Sequence, residues 1–423
     1  MTRVFPEKGI PWADLKAEVL EVQKDDPKWR EGRMLMSCYF VDDALMDMTR
    51  EAYGMFLLEN ALYSGAQAKA RKVGFATITQ FEDEIIKMAL EILQGPEGAA
   101  GNTTTGGTES ILCAVKAAVE YAKAECDIPG TPRLLLPFTA HPAFNKAAWM
   151  MGLEVTRVPV KADGRADVAA MRAMVDENTI LMVGSAPCYP FGVIDPIRDL
   201  TEIAAEHGVW FHVDACVGGY QAPFVRKLGY PVPEFEFNIP GVWSMSADLH
   251  KNGFAAKGCS TILYRDAALK DYATFRFEDW PYGSYTTATV VGSRTGGALA
   301  AAWAVMKYLG EDGYLDAVGT IMEIKNQIVG AADAIDGIYV PCDPDVGLIT
   351  MRSDEYDIHA VADAMLERGW LMGRGREPRS IHIAVHPIHA KAMNGFLSDL
   401  SGAAEAVRSG AFAGSGQEAI YAG

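Results

Sequence analysis

The sequence predicts an α/β protein built on a mostly parallel, doubly wound sheet. Short apolar runs of strand type follow one another from residue 134 to residue 265, and helix-like segments separate the first four runs. Strands that are apolar throughout and alternate with helices are typical of a parallel sheet covered on both faces. Helical spacing before this region predicts an N-terminal helical arm, and mixed elements after it predict a small C-terminal α+β domain.

The N-terminal arm is predicted to cover residues 1–95. Apolar residues recur at helical spacing in 12–24 and 42–62. The segment 77–94 is amphipathic, with a threonine near its start and Gly95 at its end. Such spacing with a glycine stop is typical of helices that pack on a core.

The large domain is predicted at 96–310 and the small domain at 311–423. Strands of the large domain are predicted at 134–137, 154–160, 180–186, 209–215, 242–247 and 259–265, with helices at 143–152, 167–176 and 196–207. The small domain contains a long helical segment at 313–335, two short strand-like segments, a helix at 357–369, another strand and a final helix.

Composition and charge narrow the classes of function. The 423 residues are 49% hydrophobic and 22% charged, as in ordered globular proteins, and the net charge of -17 would repel nucleic acid and anionic membranes. No apolar run approaches the roughly 18 residues of a transmembrane helix, and the N-terminus lacks a signal-peptide pattern. The seven cysteines show no zinc-type spacing, which favours reduced thiols. We expect a cytoplasmic protein without a metal.

Ligands of open α/β sheets bind beyond the carboxyl ends of the strands, so residues that follow the strands are the candidates for a site. The segment Thr103–Ile111 places two glycines before a helical stretch, where backbone N–H groups can bind a phosphate. An ordinary helix start, with a threonine cap and the capping-box residue Glu109, explains the same pattern.

Two further strand ends carry polar side chains. Asp214 ends the strand VWFHVD among small residues, where a carboxylate can bind a protonated ring nitrogen. His141 follows the LLLP strand and could stack on a flat ring. Each has a structural alternative, a helix cap for Asp214 and an ordinary buried contact for His141.

The segment SADLHKNGFAAKG, residues 246–258, holds Ser246, His250 and Lys251 at the same edge of the sheet. The small and apolar residues that follow Lys251 predict a desolvated setting, and desolvation lowers the pKa of a lysine and makes it nucleophilic. A surface lysine in a turn is the alternative. A phosphate cradle, an aromatic stacker, an acid for a pyridine nitrogen and an amine nucleophile together match pyridoxal 5'-phosphate.

Long motifs in this order resemble the sphingosine-1-phosphate lyases, within the group II decarboxylase branch of the fold-type I pyridoxal-phosphate enzymes. The similarity runs from about Gly32 to Ile324, and more loosely to the GW at 369–370 and the PRSIH at 378–382. The motifs are GNTTTGGTESI, AHPAFNKAA, NTILMVGSAPCYPFGVIDPI, FHVDACVGGY, SMSADLHKNGFAAKGCSTILYR and VGSRTGG.

The resemblance implies a role for each candidate residue. Lys251 would form the Schiff base with the cofactor, Asp214 would pair with the pyridine nitrogen, and His141 would stack on the ring. Near the substrate, Lys257 would lie close to a phosphate, and Tyr39 matches a substrate-side position in the N-terminal part. Further positions implied are Gly106, Gly107, Thr108, Ser246 and His250 for the cofactor, Gly292 and Ser293 for its phosphate from the second subunit of a homodimer, and Asn60 for the substrate.

The substrate side departs from the family pattern. Where the lyases have an Asn-Pro-Leu-His stretch that helps to bind the substrate phosphate, this chain has Asn60, Ala61, Leu62 and Tyr63. A neutral phenol would bind phosphate more weakly than an imidazolium. Three further differences are Asn252 for tyrosine, Ala256 for proline, and Tyr282 in the WPYGSY loop. Lys69, Arg71 and Lys72 could supply positive charge or form a solvated face.

Three functional hypotheses follow. The first is a carbon–carbon lyase that cleaves the Cα–Cβ bond of a 2-amino-3-hydroxy substrate, of phosphorylated sphingoid type or with a changed substrate, to an aldehyde and an amine. The second is an amino-acid decarboxylase of the same branch, which an arginine placed for an α-carboxylate would favour. The third is a cofactor-carrying or regulatory protein without turnover.

Overall fold

The computed structural model describes residues 4–61 and 75–416. Its core is a seven-stranded sheet in the order β2-β8-β7-β6-β5-β3-β4. The strands of the chain are β1 Asn60–Ala61, β2 Ala100–Thr104, β3 Arg133–Pro137, β4 Glu154–Val158, β5 Thr179–Ser185, β6 Trp210–Asp214, β7 Ser244–Ala247, β8 Ser260–Tyr264, β9 Phe275–Phe277, β10 Tyr285–Thr287, β11 Arg294–Thr295, β12 Leu348–Met351, β13 Gly373–Arg376 and β14 Arg379–Ala384.

Strands β4, β3, β5, β6 and β7 are parallel, and β8 pairs antiparallel with both β7 and β2. Helices connect the parallel strands and cover the sheet, as the alternating pattern predicts. All six predicted strands of this sheet are present. The α-helices are Trp12–Val22, Asp43–Gly54, Ala76–Ile92, Gly107–Glu125, Ala143–Met151, Val168–Met174, Ile197–His207, Ala222–Lys227, Ala267–Ala273, Gly296–Asp333, Ile358–Glu367 and Met393–Arg408.

Strand β2 is absent from the predicted elements because its sequence, AGNTT, lacks an apolar pattern. Hydrogen bonds allow its polar residues to be buried. Glu82 accepts from both the backbone N–H and the hydroxyl of Thr103, and the Thr104 hydroxyl lies 2.7 Å from that of Ser110. The strand ends at Thr104, two residues before the helix Gly107–Glu125 begins.

The predicted helix at 42–62 was too long. The helix ends at Gly54, and Leu57 and Leu58 beyond it are 67% and 92% exposed. Apolar spacing continues past the glycine, but Met55, Leu57 and Leu58, which carry most of it, are exposed.

A three-stranded antiparallel sheet, in the order β12-β14-β13, packs against the helix Ile358–Glu367, which in turn packs against the helix Met393–Arg408. Its strand β14 also binds the N-terminal segment, because the Ala384 N–H donates to the Leu35 carbonyl at 2.9 Å. The helix Gly296–Asp333 extends from the large sheet to this region and is interrupted by the non-helical Gly310. The predicted division of the chain after residues 95 and 310 stays a prediction.

Candidate active site

The carboxyl ends of β3, β6 and β7 meet at one edge of the sheet, and the candidate residues lie there. Asp214 is the last residue of β6 and pairs in register with Ser246 of β7. The chain leaves β7 at Ala247 and turns at Asp248, so that Lys251 N–H donates to the Asp248 carbonyl at 3.2 Å. His141 follows β3. The fold thus brings together side chains that are far apart in the sequence.

Lys251 forms an ion pair with Asp248, whose Oδ2 lies 2.9 Å from its Nζ. Burial alone would lower the pKa of Lys251, but the Asp248 carboxylate outweighs it, and the pKa of Lys251 is raised well above its usual value. The prediction of a lowered lysine pKa was therefore wrong. It considered the apolar residues after Lys251 and overlooked the carboxylate three residues before it.

His250 faces the start of the helix Gly107–Glu125. Its Nδ1 accepts a hydrogen bond from the Gly258 N–H at 3.2 Å, so the proton of the neutral ring lies on Nε2. Burial lowers the pKa of His250, which favours this neutral form. A Cβ built on Gly106 would lie 3.1 Å from His250 Cε1, so the imidazole packs against the glycine pair.

The glycine pair leaves a narrow space at the helix start. A Cβ built on Gly107 would lie 2.7 Å from both Asp248 Oδ2 and Cys216 Sγ. Gly106 is the N-cap and contributes no side-chain hydrogen bond, and the half-buried Thr108 lies in the first turn. Glu109 accepts from the Thr105 N–H and hydroxyl at 2.7 Å, so Thr105 donates its hydroxyl and the threonine cap of the alternative reading does not form. A helix start has several N–H groups without intrahelical partners, and these can serve an anion.

Asp214 is held by two hydrogen bonds at the end of β6. Its Oδ1 accepts from the Cys216 N–H at 3.1 Å and from the Ser246 hydroxyl at 3.3 Å. The Ser246 hydroxyl also lies 3.2 Å from His212 Nε2. Only 7% of Asp214 is exposed, so its carboxylate is oriented within a buried network.

His141 lies close to these charged groups. Its Nδ1 accepts from the Ala143 N–H at 3.1 Å, which orients the ring. Burial lowers the pKa of His141, while the charges of Asp214 and Lys251 act on it in opposite directions. The ring is therefore neutral and fixed beside both residues, as a stacking role requires.

Lys257 and Tyr39 meet beside this cluster. Lys257 Nζ lies 4.5 Å from the centre of the Tyr39 ring and donates to the His250 carbonyl at 3.1 Å. Burial and repulsion by Lys251 lower the pKa of Lys257. Behind Tyr39 lies the buried ring of His386, with 4.4 Å between the ring centres.

Tyr39 and Lys257 also line a cleft of about 350 Å³. Most of its other walls are apolar. The described residues that line it are Trp29, Met34, Ser37, Cys38, Tyr39, Phe40, Val41, Asp42, Leu45, Met46, Thr49, Phe254, Ala255, Ala256 and Lys257. Lys257 is the one cation in this lining, as far as the described ranges go.

Some predicted residues lie elsewhere. Asn60 belongs to β1, which pairs with β11, and its register partner is Thr295. Gly292 and Ser293 are exposed in the loop before β11, where the Val291 N–H donates to Glu109 at 2.9 Å. Through this strand pair, Asn60 lies near the loop that holds Gly292 and Ser293. Of the other predictions, Tyr63, Lys69, Arg71 and Lys72 lie outside the described residues.

Sequence reasoning did not single out Asp248, Cys216 or His386. For Asp248 a signal was present, since it stands three residues before Lys251 in the same motif. Cys216 and His386 carry no local signal. His386 comes from the C-terminal part of the chain and reaches Tyr39 only because β14 binds the N-terminal segment.

Comparison with known proteins identifies the family. Residues 75–353 match the model of the pyridoxal-dependent decarboxylase conserved domain. Sphingosine-1-phosphate lyase of Arabidopsis thaliana is 38% identical over 419 residues, which are 96% of this chain and 74% of that protein. The chain belongs to the sphingosine-1-phosphate lyase family. It is a pyridoxal-phosphate-dependent lyase, which confirms the predicted cofactor and class of enzyme.

Solved structures confirm the predicted fold. The sphingosine-1-phosphate lyase of Burkholderia pseudomallei superposes with a TM-score of 0.90 at 38% identity, and the match covers 97% of this chain and 94% of that one. Glutamate decarboxylase of Lactobacillus brevis has a TM-score of 0.81 at 18% identity, with 96% and 95% covered. At that identity the likeness concerns the fold alone.

The residues at the sheet edge fit pyridoxal 5'-phosphate. The space beside Gly106 and Gly107, which a Cβ would fill, borders a helix start and the Nε2–H of His250, both suited to an anion. A buried carboxylate, Asp214, and a lysine, Lys251, complete the groups that the cofactor needs. Among the described residues, no group of three or more side chains is placed to bind a metal ion. No helix in the same ranges is long and apolar enough to span a membrane.

Proposed function

We propose that the protein cleaves the Cα–Cβ bond of a phosphorylated 2-amino-3-hydroxy substrate of sphingoid type, giving a long-chain aldehyde and ethanolamine phosphate. The observation that carries this proposal is the position of Lys257. Its ammonium lies over Tyr39, close enough to Lys251 to be repelled by it, and at an apolar cleft. An anion-binding group beside apolar walls suits an amphipathic phosphorylated substrate.

When bound, pyridoxal phosphate supplies an aldehyde that joins amines and a ring that accepts the electron pair of the broken bond. Lys251 would hold it through Nζ, and Asp214 would accept a hydrogen bond from the protonated pyridine nitrogen and so keep the ring charged. His141 would pack on the ring face. The phosphate would be bound by the N–H groups at Gly107 and Thr108 and by His250 Nε2–H.

On the substrate side, Lys257 would bind the substrate phosphate and orient the chain. Tyr39 stands beside Lys257, where its deprotonated phenol would face the β-hydroxyl group and take its proton. Removing that proton lets the carbonyl of the aldehyde form as the carbon–carbon bond breaks.

The decisive experiment identifies the products by mass spectrometry. The protein loaded with pyridoxal phosphate is given phosphorylated sphingoid bases and, separately, amino acids. An aldehyde with ethanolamine phosphate supports the proposal. Lys251→Ala should abolish the reaction, whereas Lys227→Ala, which removes an exposed lysine paired with Glu311, should retain it. Full activity of Lys251→Ala would contradict the assignment.

The second candidate is an amino-acid decarboxylase, favoured by Tyr63 in place of the phosphate-binding histidine. An amine that lacks only the carboxylate of its amino acid would establish it. Against it stands the lining of the cleft, where the described residues include no arginine for an α-carboxylate.

We also propose a homodimer with shared active sites. The helix Trp12–Val22 has no buried residue, and Phe5 and Trp12 are 80% and 70% exposed, as expected if a second copy covers them. Ser293 is exposed as well, so it is available to the other subunit's site.

Subunit mixing tests this sharing. Lys251→Ala and Ser293→Asp chains, each inactive alone, are unfolded together and refolded as mixed dimers. If Ser293 serves the site of the other subunit, about one quarter of the sites become active, because half the dimers are mixed and each has one intact site. No recovered activity, or a monomer in sedimentation, would contradict the proposal.

For the location, we propose the cytoplasm. All seven cysteines lie in the described ranges and none forms a disulfide, as in a reducing compartment. Recovery of the native protein with a cytoplasmic marker enzyme on cell fractionation would support this, and recovery with a secreted fraction would contradict it.

A further inference from the structure

Asp248 is a buried carboxylate whose main partner is the amine of Lys251. Its side chain is 1% exposed, and its Oδ2 lies 2.9 Å from Lys251 Nζ and 3.7 Å from His250 Nε2. Burying a carboxylate is costly unless a positive charge lies beside it. Linking Lys251 to the cofactor would take away the ammonium on which this carboxylate depends.

The other groups around Lys251 cannot replace Asp248. The Cys216 thiol is buried, and burial raises its pKa well above its usual value, so it carries no charge at neutral pH. The Tyr39 phenol also raises the pKa of Lys251, but its effect is smaller than that of Asp248. The neighbouring cation, Lys257, opposes a second positive charge on Lys251. His141 is neutral because it is buried, and Asp214 is oriented by Ser246 and Cys216.

We propose that Asp248 is a positioning residue that receives the Lys251 side chain whenever its amine is not joined to the cofactor, and that it keeps a proton on Nζ. This inference rests on the proposed role of Lys251 as the cofactor lysine. Once the substrate amine has replaced Lys251 at the cofactor, the lysine side chain would have a defined position beside Asp248.

The proton held at Lys251 Nζ then has a use in the reaction. After the aldehyde has left, the substrate carbon needs a proton, and the electron pair for the new C–H bond would come from the cofactor ring that accepted it. Lys251 Nζ would supply that proton and would be left as a neutral amine. Asp248 remains a carboxylate throughout, so charge and protons balance.

The test measures the protonation of Lys251 directly, without substrate. The full-length protein, freed of cofactor by dialysis, is treated with acetaldehyde and cyanoborohydride over a range of pH. Peptide mass spectrometry then gives the labelling rate of Lys251, which follows its neutral fraction. In the wild type the midpoint should lie above that of an ordinary lysine, about 10.4. In Asp248→Asn it should fall by about 1 to 3 pH units, because the attracting charge is gone.

Two variants separate this role from simple packing. Asp248→Glu keeps the charge and should keep a raised midpoint. Asp343→Asn removes a carboxylate 2.7 Å from another buried lysine, Lys325, away from the sheet edge, and should leave Lys251 unchanged. An unchanged Lys251 midpoint in folded Asp248→Asn would overturn the proposal.

If Asp248→Asn fails to fold, the wild type alone decides, because a Lys251 midpoint at or below that of an ordinary lysine, about 10.4, would mean that Asp248 does not hold the proton. The labelling requires neither cofactor nor substrate. Failure of the product assay would therefore contradict the proposed reaction without altering this result. Conversely, if the role of Asp248 is overturned, the products identified by mass spectrometry still decide the proposed reaction.

Discussion

Gly107→Ala tests whether the helix start holds the cofactor phosphate. The added Cβ would lie 2.7 Å from Asp248 Oδ2 and from Cys216 Sγ, well inside ordinary contact distances. Neither neighbour can move aside easily. Asp248 is buried and paired with Lys251, and Cys216 is buried beside Asp214. The backbone at residue 107 must therefore shift, and this displaces the N–H groups that would bind the phosphate.

The expected magnitude follows from two opposing effects. Overpacking a tight site costs about 1–3 kcal/mol of folding stability. Alanine in a helix gains up to about 1 kcal/mol over glycine, which offsets part of that cost. Cofactor affinity should suffer more than stability, since the methyl group narrows the cradle. We expect the Kd for pyridoxal phosphate to rise by at least about tenfold, which corresponds to about 1.4 kcal/mol.

Fluorescence titration of the cofactor-free protein measures this affinity, and urea unfolding measures stability. Gly402→Ala is the matched control, because it lies within the helix Met393–Arg408 and its Cβ would meet no atom within 4 Å. It should stabilise slightly and leave cofactor affinity unchanged. Wild-type affinity in a folded Gly107→Ala protein would refute the assignment of the phosphate cradle.

Three further predictions concern charge. Lys257→Met should raise KM for a phosphorylated substrate by about tenfold or more, with Lys227→Met unchanged in steady-state kinetics. Asp214→Asn should lower kcat by at least about 100-fold without unfolding the protein, as circular dichroism can verify. Burial lowers the pKa of His212 and of His382 to about 4, from about 6.5 in unfolded chains. The unfolded chain then binds more protons between these values, so stability is complete above pH 6.5 and is lost as pH falls toward 4. Calorimetry should show Tm falling over that window, and less steeply in His382→Gln; an equal slope would contradict this cause.

The sequence predicted most of the large sheet because its signals are local. Apolar runs bounded by glycines and polar residues report burial on both faces, and all six predicted strands formed. Where burial depended on distant partners, the local pattern failed. Strand β2 is polar and is buried only because Glu82 and Ser110 satisfy its threonines. The helix expected to reach residue 62 stops at Gly54, since apolar spacing does not say whether another surface covers it.

The candidate site shows the same division. Lys251, Asp214 and His141 could be proposed from the sequence because each lies at or after the end of a predicted strand. The glycine pair could be proposed because it precedes a helical stretch, and all of these residues stand in motifs of the family. By itself, the sequence thus determined the cofactor and the class of enzyme, and it predicted the nucleophile and the phosphate-binding loop.

Tertiary structure alone decided how these groups act on one another. It paired Lys251 with Asp248 and reversed the expected direction of the lysine's pKa, since one carboxylate at 2.9 Å outweighs desolvation. It also set Tyr39 between Lys257 and His386, which come from three separate parts of the chain. Distances between side chains depend on the order of the strands and on the packing between layers, and neither is written in the spacing of residues along a single segment.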